Sequence, residues 1–396
     1  MKNYPADCAM PALGQNTPLV PLSTWLRLAG SWSVVAIFML FGNDLLGGML
    51  NPMTATWVFL LLFITILAAS FGVVHEADHL ADQLGEPYGT LILTLSIVSI
   101  EVILIASVFL GPGEFPTIGR DSIFAVMMII MNLVVGICLI AGANRHGDQE
   151  FNAQGATSYL SMIALLTAVA LILPNYTSTS GVFTVTQAWG IAVLIMALYS
   201  AFLWMQMRSH RRLFIQPPAG SMSVPPSEKA SDGQARNESQ ESTIDVRAMV
   251  IRSCVLLGLI LPIVLLAHYL AVVTDYGIAA AGAPAAVGGV LIAIIVFTPE
   301  SITAVKAAMN NEMQRAINLC LGAFVSTVGL TVPAVLIIGL TTGKQVIMGI
   351  SNAEIVLFVI TLVLSMLSFN GQRTSPIQGY MHLAVFVVFG LILFFP

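Results

Sequence analysis

Residues 88–110 read YGTLILTLSIVSIEVILIASVFL, and residues 287–309 read VGGVLIAIIVFTPESITAVKAAM. Each is an apolar run long enough to cross a bilayer, for which about 20 residues suffice. Each also carries one glutamate in its interior, Glu101 and Glu300. Aligned on those carboxylates, Gly89 falls on Gly288, Leu91 on Val290, Leu93 on Ile292 and Ser99 on Thr298, all at one offset. An ionised group at membrane depth costs roughly 3 kcal/mol on insertion scales, so it persists where it carries ions or protons. Two such groups in duplicated segments point to a transporter built from repeats, with its site where the repeats meet.

The rest of the chain agrees with that reading. Of its 396 residues 57% are hydrophobic and 9% charged, against about 25% charged in a soluble domain. Its mean hydropathy is +0.90. Its apolar runs are continuous rather than alternating, which excludes an outer-membrane barrel. The expected fold is therefore an all-α polytopic membrane protein of about eleven transmembrane helices. They lie near 27–43, 55–74, 88–110, 122–141, 157–174, 186–207, 249–273, 284–309, 316–340, 353–369 and 378–395. Cys138, Cys254 and Cys320 fall inside runs and Cys8 in the tail, so no disulfide or zinc framework is expected. No apolar stretch near the start suggests a cleaved signal.

Positive loops stay cytoplasmic. With the N-terminus inside, every lysine and arginine except Arg120 and Lys344 falls on or next to the cytoplasmic side. The expected organisation is a cytoplasmic tail (1–26), a first transmembrane helix and loop (27–54), a first repeat (55–207), a linker (208–247) and a second repeat (248–396). The linker is rich in Pro, Ser, Glu, Gln and Asn, cannot bury a core, and reads as a cytoplasmic tether. With the first span set aside, five remain on each side of it, an odd number, so the second repeat enters the membrane inverted. Glu101 and Glu300 are then related by a pseudo-two-fold axis in the membrane plane.

Proline has no N–H, so Pro299 deprives the Ile295 carbonyl of its helical partner, and a kink or unwinding is expected beside Glu300. Calcium takes about six to eight oxygens, and two glutamates give at most four. Ser99, Thr94, Thr298, Thr303 and backbone carbonyls are the candidates for more. Two carboxylates can also exchange two protons for one divalent cation and keep the site near neutrality, which makes cation/proton antiport physically natural. At the cytoplasmic end of the second span, Glu76, Asp78, Asp82 and Glu86 read as an acidic entrance that gathers cations, or as a solvated helix end. His75-Glu76-Ala77-Asp78-His79 also fits the H-E-x-x-H zinc-protease pattern, but no third ligand is evident. His268 and His382 sit near span ends and read as interfacial anchors. Gly136, Gly288, Gly289, Gly322 and Gly329 read as points of close helix contact.

The run Gly85-Glu86-Pro87-Tyr88-Gly89-Thr90-Leu91-Ile92-Leu93-Thr94-Leu95, followed by Ile100-Glu101-Val102, resembles the first repeat of ChaA-type calcium/proton antiporters. These belong to the cation/calcium exchanger superfamily. Thr298-Pro299-Glu300-Ser301 is similar to their second repeat, and the eleven-span layout is similar too. The resemblance implies that Glu101 and Glu300 bind the transported cation and proton. It adds Asn132 and Ser326, on the following spans, as supporting ligands. Many superfamily members carry Gly-Asn three to four residues before each glutamate, where this chain has Ile97-Val98 and Val296-Phe297. Two candidate amide ligands are thereby absent, which opens the cargo to Na⁺ or K⁺.

The expected function is export of cytosolic Ca²⁺, with Na⁺ and K⁺ second, in exchange for protons. No nucleotide-binding motif is present to drive it otherwise. The alternatives are a Na⁺/H⁺ or K⁺/H⁺ antiporter, a Na⁺-coupled Ca²⁺ exchanger, a channel, or more remotely a membrane metalloprotease. No cofactor is expected, and the expected partners are small cations, protons and the lipid bilayer, with no nucleic acid. The expected location is a bacterial inner membrane.

Overall fold

The computed structural model describes residues 20–47, 51–84, 88–111, 115–177, 181–217, 246–371 and 373–395. Residues 1–19 of the expected tail and 218–245 of the expected linker lie outside the described residues. Eleven long helices follow one another. They are α1 (Leu22–Gly47), α2 (Pro52–Leu84), α3 (Tyr88–Phe109), α4 (Ile118–His146), α5 (Ala153–Tyr176) and α6 (Val185–Met207), then α7 (Val246–Ala281), α8 (Ala286–Met309), α9 (Met313–Thr342), α10 (Asn352–Ser368) and α11 (Pro376–Phe394). Among the described residues nine of these are long and apolar enough to cross a membrane, and α3 and α10 contribute shorter apolar segments. The eleven correspond one for one to the eleven apolar runs. The protein is an all-α integral membrane protein. The first helix starts at Leu22 and reaches Gly47, longer than the expected 27–43, and runs through Gly42-Asn43-Asp44.

Polar residues at the breaks define several ends. Asn152 caps α5 by accepting from the Gln154 and Gly155 amides. Thr184 with Gln187, and Ser351 with Glu354, form capping boxes that start α6 and α10. Inside the bundle, three helices carry a π-helical turn: Ile129–Val134 in α4, Ala168–Ile172 in α5 and Thr327–Thr331 in α9. Such a turn adds a residue and re-aims the side chains that follow it, and it is common at functional sites.

The central helix is α4, most of which is buried, whereas α11 is largely exposed and lies at the edge of the bundle. It packs on α8 along most of its length and on α11 through its second half. Gly289 makes the α4–α8 approach possible, since a Cβ there would lie 2.6 Å from the Ser122 amide nitrogen. Gly136 does the same for α11, where a Cβ would come 2.9 Å from the Gly379 carbonyl. Helices α2 and α7 pack on each other, with α3 across both and α1 outside them. α8 runs unbroken through Pro299. The expected unwinding does not occur, because the loss of one ladder bond is outweighed by burial of Ile295, Val296 and Phe297 on the preceding turn.

Candidate functional site

Glu101 sits on α3 where that helix is covered by α2, α7, α8 and α9, and it is fully buried. Its Oε2 accepts a hydrogen bond from the Thr327 hydroxyl at 3.0 Å. Thr327 opens the π turn of α9, and Thr331 at the end of that turn lies close by. Oε1 of Glu101 has no hydrogen-bond partner. A buried polar atom without a partner costs about 1–3 kcal/mol, so the fold maintains an unsatisfied acceptor here.

Glu300 on α8 is only partly buried. It lines a cavity of about 320 Å³ walled by Ile97, Val98 and Phe297 and by the hydroxyl-bearing Thr94, Tyr199 and Ser326. The cavity extends past Asn318 to a rim formed by Arg211 and Arg315, both exposed. Its Oε2 is buried and without a hydrogen-bond partner. Glu300 lies within electrostatic range of Glu101 and of Asp78 on α2. The two repeat glutamates therefore converge, one sealed and one facing a cavity.

The structure distributes the other expected residues unevenly. Ser326 shares the cavity with Glu300, accepting from Tyr199 at 2.9 Å and donating to the Gly322 carbonyl at 2.8 Å. Asp78 lies within electrostatic range of Glu300. Ser99 and Thr298 instead turn back on their own helices, donating to the Leu95 and Ile294 carbonyls at 2.5 Å each. Asn132 has its amide group engaged away from the glutamates. Its amide donates to Thr361 at 2.9 Å, and its Oδ1 meets His382 Nδ1 at 3.3 Å. His382, whose Nε2 meets the Ser368 hydroxyl at 3.1 Å, is fully buried in this network between α4, α10 and α11. It is not an interfacial anchor. His268 is exposed.

Of the acidic entrance, Glu86 lies outside the described residues, as does the side chain of Asp82. Glu76 is fully buried and paired with Arg252 on α7 at 2.8 Å, so it does not face an aqueous entrance. That contact also answers the H-E-x-x-H pattern. His75 and His79 stack edge to face at 4.6 Å, but His75 lies near Arg27 and Arg252, and Glu76 is committed to Arg252. Among the described residues no group of three or more His, Cys, Asp or Glu forms a ready-made metal cage. Thr327 is the contact that sequence reasoning missed. It adjoins the named Ser326, and the π turn of α9 sets which of the two hydroxyls meets Glu101.

A family model described as "Sodium/calcium exchanger protein" matches residues 54–208 and again 251–395. The chain is 33% identical over 335 residues to the "Sodium-potassium/proton antiporter ChaA" of Escherichia coli, covering 85% of this chain and 88% of the relative. It is 26% identical over 352 residues to a "Ca(2+)/H(+) antiporter" of Synechocystis sp., covering 86% and 91%. The solved structure of native YfkE superposes with a TM-score of 0.70 at 17% identity, over 94% of this chain and 100% of that one, a likeness of fold.

Proposed function

The chain belongs to the sodium/calcium exchanger protein family, and from that premise we propose that it is a cation/proton antiporter working through Glu101 and Glu300. Named relatives in this family are antiporters and exchangers, transporters rather than enzymes. The observation that carries the reading is the convergence of two membrane-buried carboxylates, each with an unpartnered oxygen, one of them at the end of a cavity. Unpartnered carboxylate oxygens are held in an apolar bundle where a cation or a proton is to be bound.

The cavity rim carries Arg211 and Arg315, the charge sign of a cytoplasmic face. In this state a cytosolic cation reaches Glu300 while Glu101 is sealed behind Thr327. Cation binding displaces protons from the carboxylates, the site then opens to the other side, and protons return in place of the cation. The double match of the family model supports the view that 55–207 and 248–396 are inverted repeats meeting at this pair.

Na⁺ and K⁺ are the favoured cargo. Ile97, Val98 and Phe297 form cavity wall where oxygen ligands would otherwise stand, and Ca²⁺ asks for about six to eight oxygens. The nearness of Asp78 to Glu300 favours Ca²⁺ as a second reading, because a third carboxylate adds charge to the site. Transport in reconstituted vesicles under an imposed pH gradient, with Na⁺, K⁺ and Ca²⁺ side by side, tests the assignment. Uptake of Na⁺ or K⁺ only with the gradient is expected. Conduction without one would indicate a channel, and exclusive Ca²⁺ uptake would reverse the order of cargo.

A further inference from the structure

Glu76, near the end of α2, is fully buried, and both of its oxygens are occupied. Oε2 accepts from Arg252 Nη1 of α7 at 2.8 Å, and Oε1 accepts from the Thr24 hydroxyl of α1 at 3.2 Å. One carboxylate thus ties three helices together. The same three helices are joined elsewhere. The Trp32 indole of α1 donates to the Gly258 carbonyl of α7 at 3.0 Å, and the rings of Phe38 and Tyr269 stand 5.2 Å apart. Gly72 of α2 lies under the Leu259 side chain of α7 so closely that an added Cβ would come within 2.8 Å of it. A buried ion pair is specific in geometry, because removing one partner strands the other charge.

Asp78 is two residues beyond Glu76. At 100° per residue, implied by 3.6 residues per turn, the two side chains leave α2 about 200° apart. Glu76 points to α1 and α7, whereas α2 also packs on α8, and Asp78 lies within electrostatic range of Glu300 there. A helix fixed in rotation on one side is thereby fixed on the other.

We propose that Glu76, through Arg252 and Thr24, is a positioning residue that sets the rotation of α2 and so aims Asp78 at Glu300. The inference rests on the reading of Glu300 as a cation site. Asp78 raises the local cation concentration and adds to the attraction felt at that site. Glu76 acts on the cation only through Asp78. The H-E-x-x-H pattern is then an interhelical clamp whose glutamate faces inward, followed by a carboxylate facing the site.

The test uses the full chain in reconstituted vesicles, measuring initial rates of proton-driven exchange against cation concentration. Asp78→Asn and Glu76→Gln should each raise the apparent KM about fivefold and leave the maximal rate intact, and the double variant should be no worse than Asp78→Asn alone, because dependent residues are non-additive. Exchanging the charges, Glu76→Arg with Arg252→Glu, should restore the KM to within about twofold of the parent, since a double exchange isolates the pair. Multiplied effects, about 25-fold in the double variant, would overturn the inference, because independent sites add in free energy. So would a Glu76→Gln variant that lowers the maximal rate at unchanged KM. Should Glu76→Gln not fold, Thr24→Val carries the test. It removes one bond to Glu76 and should raise KM in the same direction, and an unchanged KM there contradicts the proposal. A parent protein that exchanges no cation for protons overturns the functional reading and this inference with it. Exchange with independent effects overturns this inference alone.

Discussion

The Thr327 hydroxyl donates to the Glu101 carboxylate at 3.0 Å, joining residues 226 positions apart in the chain. This hydrogen bond passes from α3 to the π turn of α9, and thus from one expected repeat to the other. It leaves Glu101 sealed while its counterpart Glu300 faces the cavity. The two glutamates occupy equivalent places in the sequence and unequal places in this conformation, as the proposed alternating access requires of a site offered to one side at a time.

Thr327→Val keeps the shape of the side chain and removes the donor. The variant should lose roughly 1–3 kcal/mol of stability, the cost of a buried acceptor left without its partner. Thermal unfolding in detergent measures this, and Thr327→Ser, which restores the hydroxyl, should recover most of the loss.

Val98→Asn places an amide oxygen in the cavity wall. A new ligand of this kind should shift the ratio of Ca²⁺ to Na⁺ transport toward Ca²⁺ by about tenfold, which corresponds to roughly 1.4 kcal/mol. Competition of Ca²⁺ with Na⁺ uptake in vesicles reads the shift. No change would show that this wall does not set selectivity.

Gly288 and Gly289 are neighbours on α8 with opposite tolerance. A Cβ at Gly288 meets side-chain atoms at 3.5 Å, ordinary contact, whereas one at Gly289 meets the α4 backbone at 2.6 Å. Gly288→Ala should be nearly neutral, and Gly289→Ala should cost roughly 1–3 kcal/mol as overpacking. Their unfolding temperatures, measured in parallel, check the helix contact.

In the proposed mechanism protons and cation compete for the same carboxylate oxygens. Lowering the pH on the cavity side should therefore raise the apparent KM for the cation, with the maximal rate recovered at saturating cation. A fall in maximal rate at unchanged KM would place the proton elsewhere.

The helix count and the two glutamates were legible because length and continuous hydrophobicity are what a bilayer demands, and because a carboxylate stands out against that background. The side-chain partners were less so. Ser99 and Thr298 satisfy their hydroxyls on their own helices, an option open to any hydroxyl in a helix and invisible in sequence. Ser326 was named and Thr327 was not, since the π turn that presents Thr327 to Glu101 has no sequence signature. Glu76 looked solvated because it belongs to an acidic run, yet its partner Arg252 lies 176 positions away. His382 looked interfacial because it follows a polar loop, and only the packing of α4, α10 and α11 reveals it as buried.

The most direct measurement is proton movement coupled to cation flux in vesicles holding the purified protein, Glu101→Gln or Glu300→Gln. Glutamine keeps the size and an acceptor oxygen but cannot be ionised. With a pH-sensitive dye inside and an imposed cation gradient, the parent protein should move protons against the cation. Both variants should be silent while remaining folded and inserted. Exchange by Glu101→Gln at close to the parent rate would contradict the account.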